Sequence, residues 1–473
     1  MKHYSWSAIN KLGTQLIGFI GNILIARLLS PEDYGLIAML AIFMAIAMNF
    51  TESGFGDYLI RDPKSGKKDF AVIFMHNLVF GIGFYMILFF CAPLIASFYK
   101  QPELINITRI LGLSIFFKAI CLTEVTRMRK ELLFKNLAKI SITSSIISVI
   151  IGYVLAKNGW GYWAIVMQSL SLGISNLIMI IAVNKWSPLF YFNWKRYKIM
   201  RKFGNNMLIS YFTNQLGSNL YAVVIGKFYS PLSLGYFYQS EKISNMSFQS
   251  INSIILTTSY SLLANQEDKI KRRKMYKTIL NHFLFLHFNL NLFLVGCAYQ
   301  IIAMVFGEQW IPSVPLLQLL LLSYLLQPLV TLNSNIIKIE NKPALYRNLT
   351  FLRNGLIFLA LLTTYKYSVI TIIYGQIAAR YLSVVIDVLV CGKYIDLSPN
   401  YQWRLALKQV LGPTLSLLAA YNLMVNIPLS QNWQLLIIYG LTYTLVFIIF
   451  NTITKNQSFH LVLNKVKALM PWI

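Results

Sequence analysis

Fourteen stretches of twenty or more mostly apolar residues run along this chain, the first at 6–29 and the last at 433–454. Each is long enough to cross a hydrocarbon layer of about 30 Å as a helix. Helices buried in a soluble core would be interrupted by polar faces, and these are not. Charged residues make up 12% of the chain and hydrophobic ones 56%, whereas a soluble protein carries roughly a quarter charged. That composition cannot supply a polar skin, so a soluble enzyme, a secreted domain, a coiled coil and a disordered chain are excluded. The expected fold class is all-α, a polytopic membrane protein with about 14 transmembrane helices.

The basic residues follow the same count. With the N-terminus inside, 33 of the 42 Lys and Arg fall on the cytoplasmic side, five on the other and four within spans. A wrong number of spans would scramble this alternation, because cytoplasmic loops collect Lys and Arg. Both termini are therefore expected to be cytoplasmic, in a bacterial plasma (inner) membrane. The net charge of +26 belongs to loops over anionic headgroups, and no nucleic-acid partner is expected. Only Lys2 precedes the first apolar run, with no small-residue cleavage site after it, so no removable leader is expected.

Loops leave no room for a catalytic domain. The longest internal connector, 185–202, is aromatic and basic from Trp186 to Lys202 and reads as an amphipathic segment on the membrane surface. Cys91, Cys121, Cys297 and Cys391 stand singly in apolar stretches, as buried hydrophobes rather than disulfide or metal ligands. No phosphate loop, serine elbow or zinc motif is present. Neither a cofactor nor a metal is expected, and the protein is not expected to be an enzyme.

An internal repeat organises the spans. Ile25-Ala26-Arg27-Leu28-Leu29-Ser30-Pro31 through Gly35 aligns with Ile225-Gly226-Lys227-Phe228-Tyr229-Ser230-Pro231 through Gly235 at an offset of 200, with Gln15 over Gln215. Six spans separate the copies, so both halves share one orientation, as parallel transporter repeats do. The expected organisation is an N-terminal six-helix lobe at 1–184, a linker at 185–202, a second six-helix lobe at 203–395, and helices 13–14 with a tail at 396–473.

Polar groups inside spans are costly and face a bundle interior or a wet cavity. Asn10, Thr14, Gly18 and Asn22 recur every fourth residue and form one helical face, matched in the repeat by Ser210, Asn214, Gln215 and Ser218. Span eight carries Gln239, Glu241, Lys242, Ser244 and Asn245, and span two Asn49, Thr51, Glu52 and Ser53. A hydrated cavity lined by spans one, two, seven and eight is expected. Lys118 lies mid-span without a local partner; Glu124 is expected to pair with Arg127 or with the cytoplasmic basic cluster. Arg380 and Asp387 are seven residues apart on one face, about 10 Å along the axis, and Glu241 adjoins Lys242. An excess of interior cations suits a phosphate-bearing ligand. The candidate substrate-binding residues are Arg27, Lys118, Lys242 and Arg380. Glu52, Glu241 and Asp387 are candidates for coupling Na+ or H+. His76, His282 and His287 show no ligand spacing and are expected in the core or the pore lining.

Ala26-Arg27-Leu28-Leu29-Ser30-Pro31-Glu32-Asp33-Tyr34-Gly35, then Gly54-Phe55-Gly56-Asp57-Tyr58, Trp186-Ser187-Pro188, Ser230-Pro231 with Gly235, and Phe306-Gly307-Glu308-Gln309-Trp310 carry a resemblance. With them the chain resembles the polysaccharide transporter branch of the MOP flippase superfamily, the Wzx-type exporters of O-antigen and capsule repeat units. After Gly235 that family often has an aromatic and then Arg; here Phe237-Tyr238 is followed by Gln239, and Lys242 supplies a cation one turn later.

The resemblance implies a flippase for undecaprenyl-diphosphate-linked oligosaccharide, moving it from the cytoplasmic to the periplasmic leaflet by alternating access between two lobes. It also implies a cationic central cavity and an ion gradient as the driving force. Partners would be the lipid-linked oligosaccharide, membrane lipids, Na+ or H+, and other polysaccharide assembly proteins. A cation-coupled multidrug exporter of the same superfamily is the alternative, although it usually has twelve spans. A membrane glycan polymerase or ligase would need a larger external loop than any found here.

Overall fold

The computed structural model describes residues 2–394, 396–427 and 431–469, without the side chains of 2–4, 257, 462, 465–469 and much of 202–218. The side chains of Ser210, Asn214 and Ser218 are thus outside the described residues. Among those described, every regular element is a helix and no strand occurs. The chain forms two compact units, Met1–Gly235 and Tyr236–Ile473.

The first unit contains α1 (Lys2–Ala26), α2 (Pro31–Glu52), the short α3 (Phe55–Arg61), α4 (Lys67–Tyr99) and α5 (Leu104–Lys130). It continues with α6 (Phe134–Lys157), α7 (Tyr162–Asn184), α8 (Trp194–Phe228) and the first turn of α9 (Pro231–Ala264). The second unit holds the rest of α9, then α10 (Lys269–Gly296), α11 (Ala298–Ile301), α12 (Val314–Tyr324), α13 (Gln327–Ile339) and α14 (Pro343–Thr364). Helices α15 (Val369–Cys391), α16 (Pro399–Asn426), α17 (Asn432–Ile453) and α18 (Gln457–Leu469) complete it.

Among the described residues, ten helices are long and apolar enough to cross a membrane, against the fourteen expected. Helices α8, α9, α14 and α16 are 35, 34, 22 and 28 residues long but more polar. Length and composition make this a multi-pass membrane protein.

Its surfaces fit that setting. On α1, Leu12, Leu16 and Ile20 are 58%, 56% and 54% exposed, an apolar stripe repeating every fourth residue, as a lipid-facing surface requires. Between helices, small residues replace hydrophobic ridges and bring backbones together. A Cβ on Gly21 of α1 would lie 2.3 Å from Val149 of α6, and one on Gly152 would lie 2.9 Å from Ile25. The four cysteines are free.

The repeat is visible as matched helix starts. Ser30 caps α2: its hydroxyl accepts the Asp33 N–H at 3.2 Å, and Asp33 accepts the Ser30 N–H at 2.9 Å. Pro31 occupies the first turn, where an N–H would have no helical partner. In the second copy the Ser230 hydroxyl accepts the Ser233 N–H at 3.2 Å, and Pro231 opens α9. Asp33 does a further job that Ser233 does not, accepting the Tyr162 N–H at 2.9 Å and so holding the start of α7.

The two starts also touch. A Cβ on Gly35 would lie 1.8 Å from the Pro231 carbonyl oxygen, and one on Gly235 1.8 Å from that of Pro31. Each glycine is thus the gap into which the other copy's proline carbonyl fits.

The 185–202 connector divides in two. Residues 185–193 are non-helical and α8 begins at Trp194. Trp186 and Phe190 meet Phe74 edge-on at 5.6 and 5.8 Å. Arg127 grips Glu124 with hydrogen bonds of 2.6 and 2.9 Å, the partner the sequence supplied, and Asn184 adds a third at 3.0 Å.

Candidate functional site

A polar constellation inside the second unit forms where a span is broken. Span ten of the sequence, 313–338, is two helices, α12 and α13, with Leu325 and Leu326 between them. Pro328 explains the break. It has no N–H for the carbonyl four residues back, that of Tyr324, and its ring disfavours a continuous helix.

In hydrocarbon a freed carbonyl needs another donor. The Nε2 of His287 on α10 lies 3.0 Å from the Tyr324 oxygen. A carbonyl only accepts, so His287 carries its proton on Nε2. Its Nδ1 then accepts from Asn291 at 2.9 Å. Two residues earlier the Tyr381 hydroxyl donates to the Leu322 carbonyl at 2.7 Å. The break is therefore held by side chains. His287→Ala is expected to strand the Tyr324 carbonyl and destabilise the chain by about 1–3 kcal/mol. Pro328→Ala in the same background restores an N–H and should recover part of that loss in a thermal-unfolding series.

Charge gathers at this break. Tyr324 donates its hydroxyl to Glu241 Oε1 on α9 at 2.7 Å. Arg380 on α15 donates to the Ser323 hydroxyl at 2.6 Å and lies 3.6 Å from Glu241 Oε1. Its guanidinium stacks 4.0 Å over the Tyr324 ring. The Arg380 and Glu241 side chains are 15% and 24% exposed, and Glu241 Oε2 is buried without a hydrogen-bond partner among the described residues. Arg380 is the twelfth residue of a 23-residue helix, so the cluster stands near mid-span. At that depth an ion pair is worth more than at a surface, and separating it leaves a charge in low dielectric.

Arg380 and Asp387, which share a helical face, have separate partners. Asp387, on the same face as Arg380, pairs instead with Arg353 of α14 at 2.6 Å, and Arg353 also reaches Ser334 at 3.3 Å. Seven residues along a helix share a face but are too far apart for contact, and each charge has a nearer partner on a neighbouring helix. Glu241 and Lys242 are consecutive and point about 100° apart. Glu241 turns to the break, while Lys242 is exposed.

In the first unit Lys118 is exposed midway along α5, Glu52 is exposed at the end of α2, and Arg27 is exposed just past α1. Lys227 hydrogen-bonds the Phe98 carbonyl and lies 4.3 Å from the Phe98 ring. His76 contacts the Tyr197 hydroxyl at 3.2 Å, a core position. Sequence reading missed Ser323, Tyr324 and Tyr381, and gave His287 no specific task. The Gln327-Pro328 step inside an apolar run was the available signal for the break. Among the described residues no group of three His, Cys, Asp or Glu is placed to hold a metal ion.

Comparison with known proteins adds family and fold. Residues 24–315 match a family described as polysaccharide biosynthesis protein. The teichuronic acid biosynthesis protein TuaB of Bacillus subtilis is 25% identical over 71% of this chain and 70% of its own length. The lipopolysaccharide biosynthesis protein WzxC of Escherichia coli is 22% identical over 67% of this chain and 65% of its own. Among solved structures, the lipid II flippase MurJ in an inward closed conformation superposes with a TM-score of 0.78 at 15% identity, covering 95% of this chain and 98% of MurJ. An inward-facing multidrug resistance MATE transporter of the MOP superfamily gives 0.61 at 13% identity, covering 81% of this chain and 94% of its own. At those identities the structural likeness establishes the fold alone, which this chain shares with MurJ and with the MATE transporter.

Proposed function

The chain belongs to the polysaccharide biosynthesis protein family, and from that premise we propose that it is a flippase for undecaprenyl-diphosphate-linked oligosaccharide. It moves the repeat unit from the cytoplasmic to the periplasmic leaflet of the bacterial inner membrane by alternating access, for O-antigen, capsule or exopolysaccharide synthesis. Both termini lie in the cytoplasm in this reading.

The observation that carries it is the mid-span cluster of Arg380, Glu241 and Tyr324 beside a broken helix. Broken spans with ionisable groups at mid-depth are where transporters bind and couple. Arg380 is the anchor for a diphosphate oxygen, since a guanidinium meets such oxygens with two donors at once. Lys118, Lys242 and Arg27 supply further cations along the route.

Glu241 couples the ion. Its Oε1 is engaged by Tyr324 and Arg380, while Oε2 is buried with no described group bonded to it, open to a proton or Na+. Charge neutralised there loosens the hold on Arg380 and frees the guanidinium for substrate. Asp387 presents the same pattern, one oxygen on Arg353 and Oδ1 buried with no described partner, and Glu52 is the third coupling carboxylate. The names of TuaB and WzxC, both polysaccharide biosynthesis proteins, and of MurJ, a lipid II flippase, support the substrate class.

The test is leaflet transfer in proteoliposomes. A fluorescent polyprenyl-diphosphate oligosaccharide should cross in the presence of the protein, and a polyprenyl glycoside lacking the diphosphate should not. Equal transfer of both would remove the diphosphate from the recognition.

A further inference from the structure

A second cationic site lies in the second unit, on elements other than those of the Arg380 cluster. A cavity of about 400 Å³ opens between α10, α16 and the start of α18, and three of its lining residues are Lys277, Lys408 and Lys455. Among the described residues no carboxylate lines it. Elsewhere in this unit Arg272 meets Glu340 at 2.8 Å and Arg353 meets Asp387. Here three ammonium groups share one pocket with no described group of opposite sign in its lining, and their mutual repulsion is relieved by an anion entering from outside.

The pocket is built rather than incidental. Its floor is a closed chain of neutral hydrogen bonds. Gln409 donates to Asn281, and Asn281 donates to Ser458 at 2.8 Å. The hydroxyl of Ser458 also contacts His282 at 2.9 Å, its N–H donates to Asn456 at 3.0 Å, and Asn456 donates back to Gln409 at 3.0 Å. Gln409, Asn456 and Ser458 are 2%, 5% and 0% exposed. This ring ties α10, α16 and α18 together and fixes the backbone that carries the lysines. Lys277 is positioned further by the Tyr401 ring, 4.5 Å away. Lys455 sits on a left-handed residue, φ +48°, that turns the chain from α17 into α18.

Depth identifies the ligand class. α17 is one of the helices apolar enough to span, and it ends at Ile453. Lys455 is two residues beyond, at the level of headgroups. Ammonium groups bind phosphate oxygens as point charges, and each Lys near an anionic surface adds to the attraction.

We infer that the pocket formed by Lys277, Lys408 and Lys455 over the Asn281–Gln409–Asn456–Ser458 ring binds a phosphate group, from an anionic lipid headgroup or a free phosphate-bearing solute. It does so independently of the transport site.

The experiment uses the full chain in nanodiscs of phosphatidylcholine doped with cardiolipin, with retained lipid counted by native mass spectrometry. Lys277→Gln, Lys408→Gln and Lys455→Gln combined should reduce cardiolipin retention relative to phosphatidylcholine by roughly tenfold to a hundredfold. Combined Lys64→Gln, Lys67→Gln and Lys68→Gln, the same charge removed from the first unit, should leave it within about twofold. The single Lys408→Gln variant, at an exposed position, should give an intermediate loss and guards against misfolding of the triple. In a second arm, line broadening of inorganic pyrophosphate in ³¹P spectra is compared between wild type and the triple. Loss in the lipid arm assigns a headgroup; loss in the pyrophosphate arm alone assigns a free solute. Wild-type behaviour of the triple in both arms, or equal loss in the control triple, overturns the site.

Discussion

Gly35→Ala lowers the thermal-unfolding midpoint by roughly 5–10 °C in detergent, and Gly235→Ala does the same. The added Cβ would stand 1.8 Å from a proline carbonyl oxygen in either case, well inside contact distance. The obstacle is backbone, held by a capped first turn on each helix, so no side chain can rotate to relieve it. Overpacking of this kind costs about 1–3 kcal/mol, and each kcal/mol moves the midpoint of a mid-sized unit by about 2–4 °C. Gly18→Ala is the control. Nothing lies within 4 Å of its would-be Cβ, and alanine favours helix over glycine by about 1 kcal/mol, so that midpoint holds or rises. Equal midpoints for Gly35→Ala and Gly18→Ala would mean that the two repeat copies do not meet as described.

The second large effect separates stability from charge chemistry at the break. Arg380→Met leaves the Glu241 carboxylate beside Tyr324 without its cation, and breaking such a partly buried pair costs about 3–5 kcal/mol. Glu241→Gln strands the guanidinium but keeps an acceptor for the Tyr324 hydroxyl, so it costs less, about 1.5–3 kcal/mol. The double variant removes both charges and leaves shapes of similar volume. It is expected to recover about 1–3 kcal/mol relative to the sum of the singles. Strict additivity of the two losses in a denaturation cycle would show that the residues do not interact.

What the sequence displayed and what it hid follow from the range of the forces involved. Apolar stretches, helix caps and the Ser-Pro-x-x-x-Gly repeat are local, so Ser30, Pro31, Ser230 and Pro231 mark their helix starts in the amino-acid order itself. The Glu124–Arg127 pair was legible for the same reason, since residues three apart on a helix face one another. Pairing between helices is not local. Arg380 and Asp387 were each visible as intramembrane charges, yet their partners, Glu241 and Arg353, sit 139 and 34 residues away along the chain.

The break after Tyr324 shows a middle case. Pro328 marked it, but what satisfies the freed carbonyl is His287, on a helix that sequence alone does not bring near. Span count shows the opposite limit. α9 and α14 carry Glu241, Lys242 and Arg353, and polar residues that line a polar interior make a helix look less membrane-like by composition. Two of these residues, Glu241 and Lys242, are among those proposed to act.

The most direct measurement is leaflet transfer by the Glu241→Gln/Arg380→Met double variant, which loses about 1–3 kcal/mol less than the two single variants together. A folded, reconstituted double variant should move the polyprenyl-diphosphate oligosaccharide at least about tenfold more slowly than wild type, equivalent to about 1.4 kcal/mol of lost substrate stabilisation. Transfer at the wild-type rate would show that the charged cluster serves only to hold helices together, and the assignment of Arg380 as the diphosphate anchor would fall.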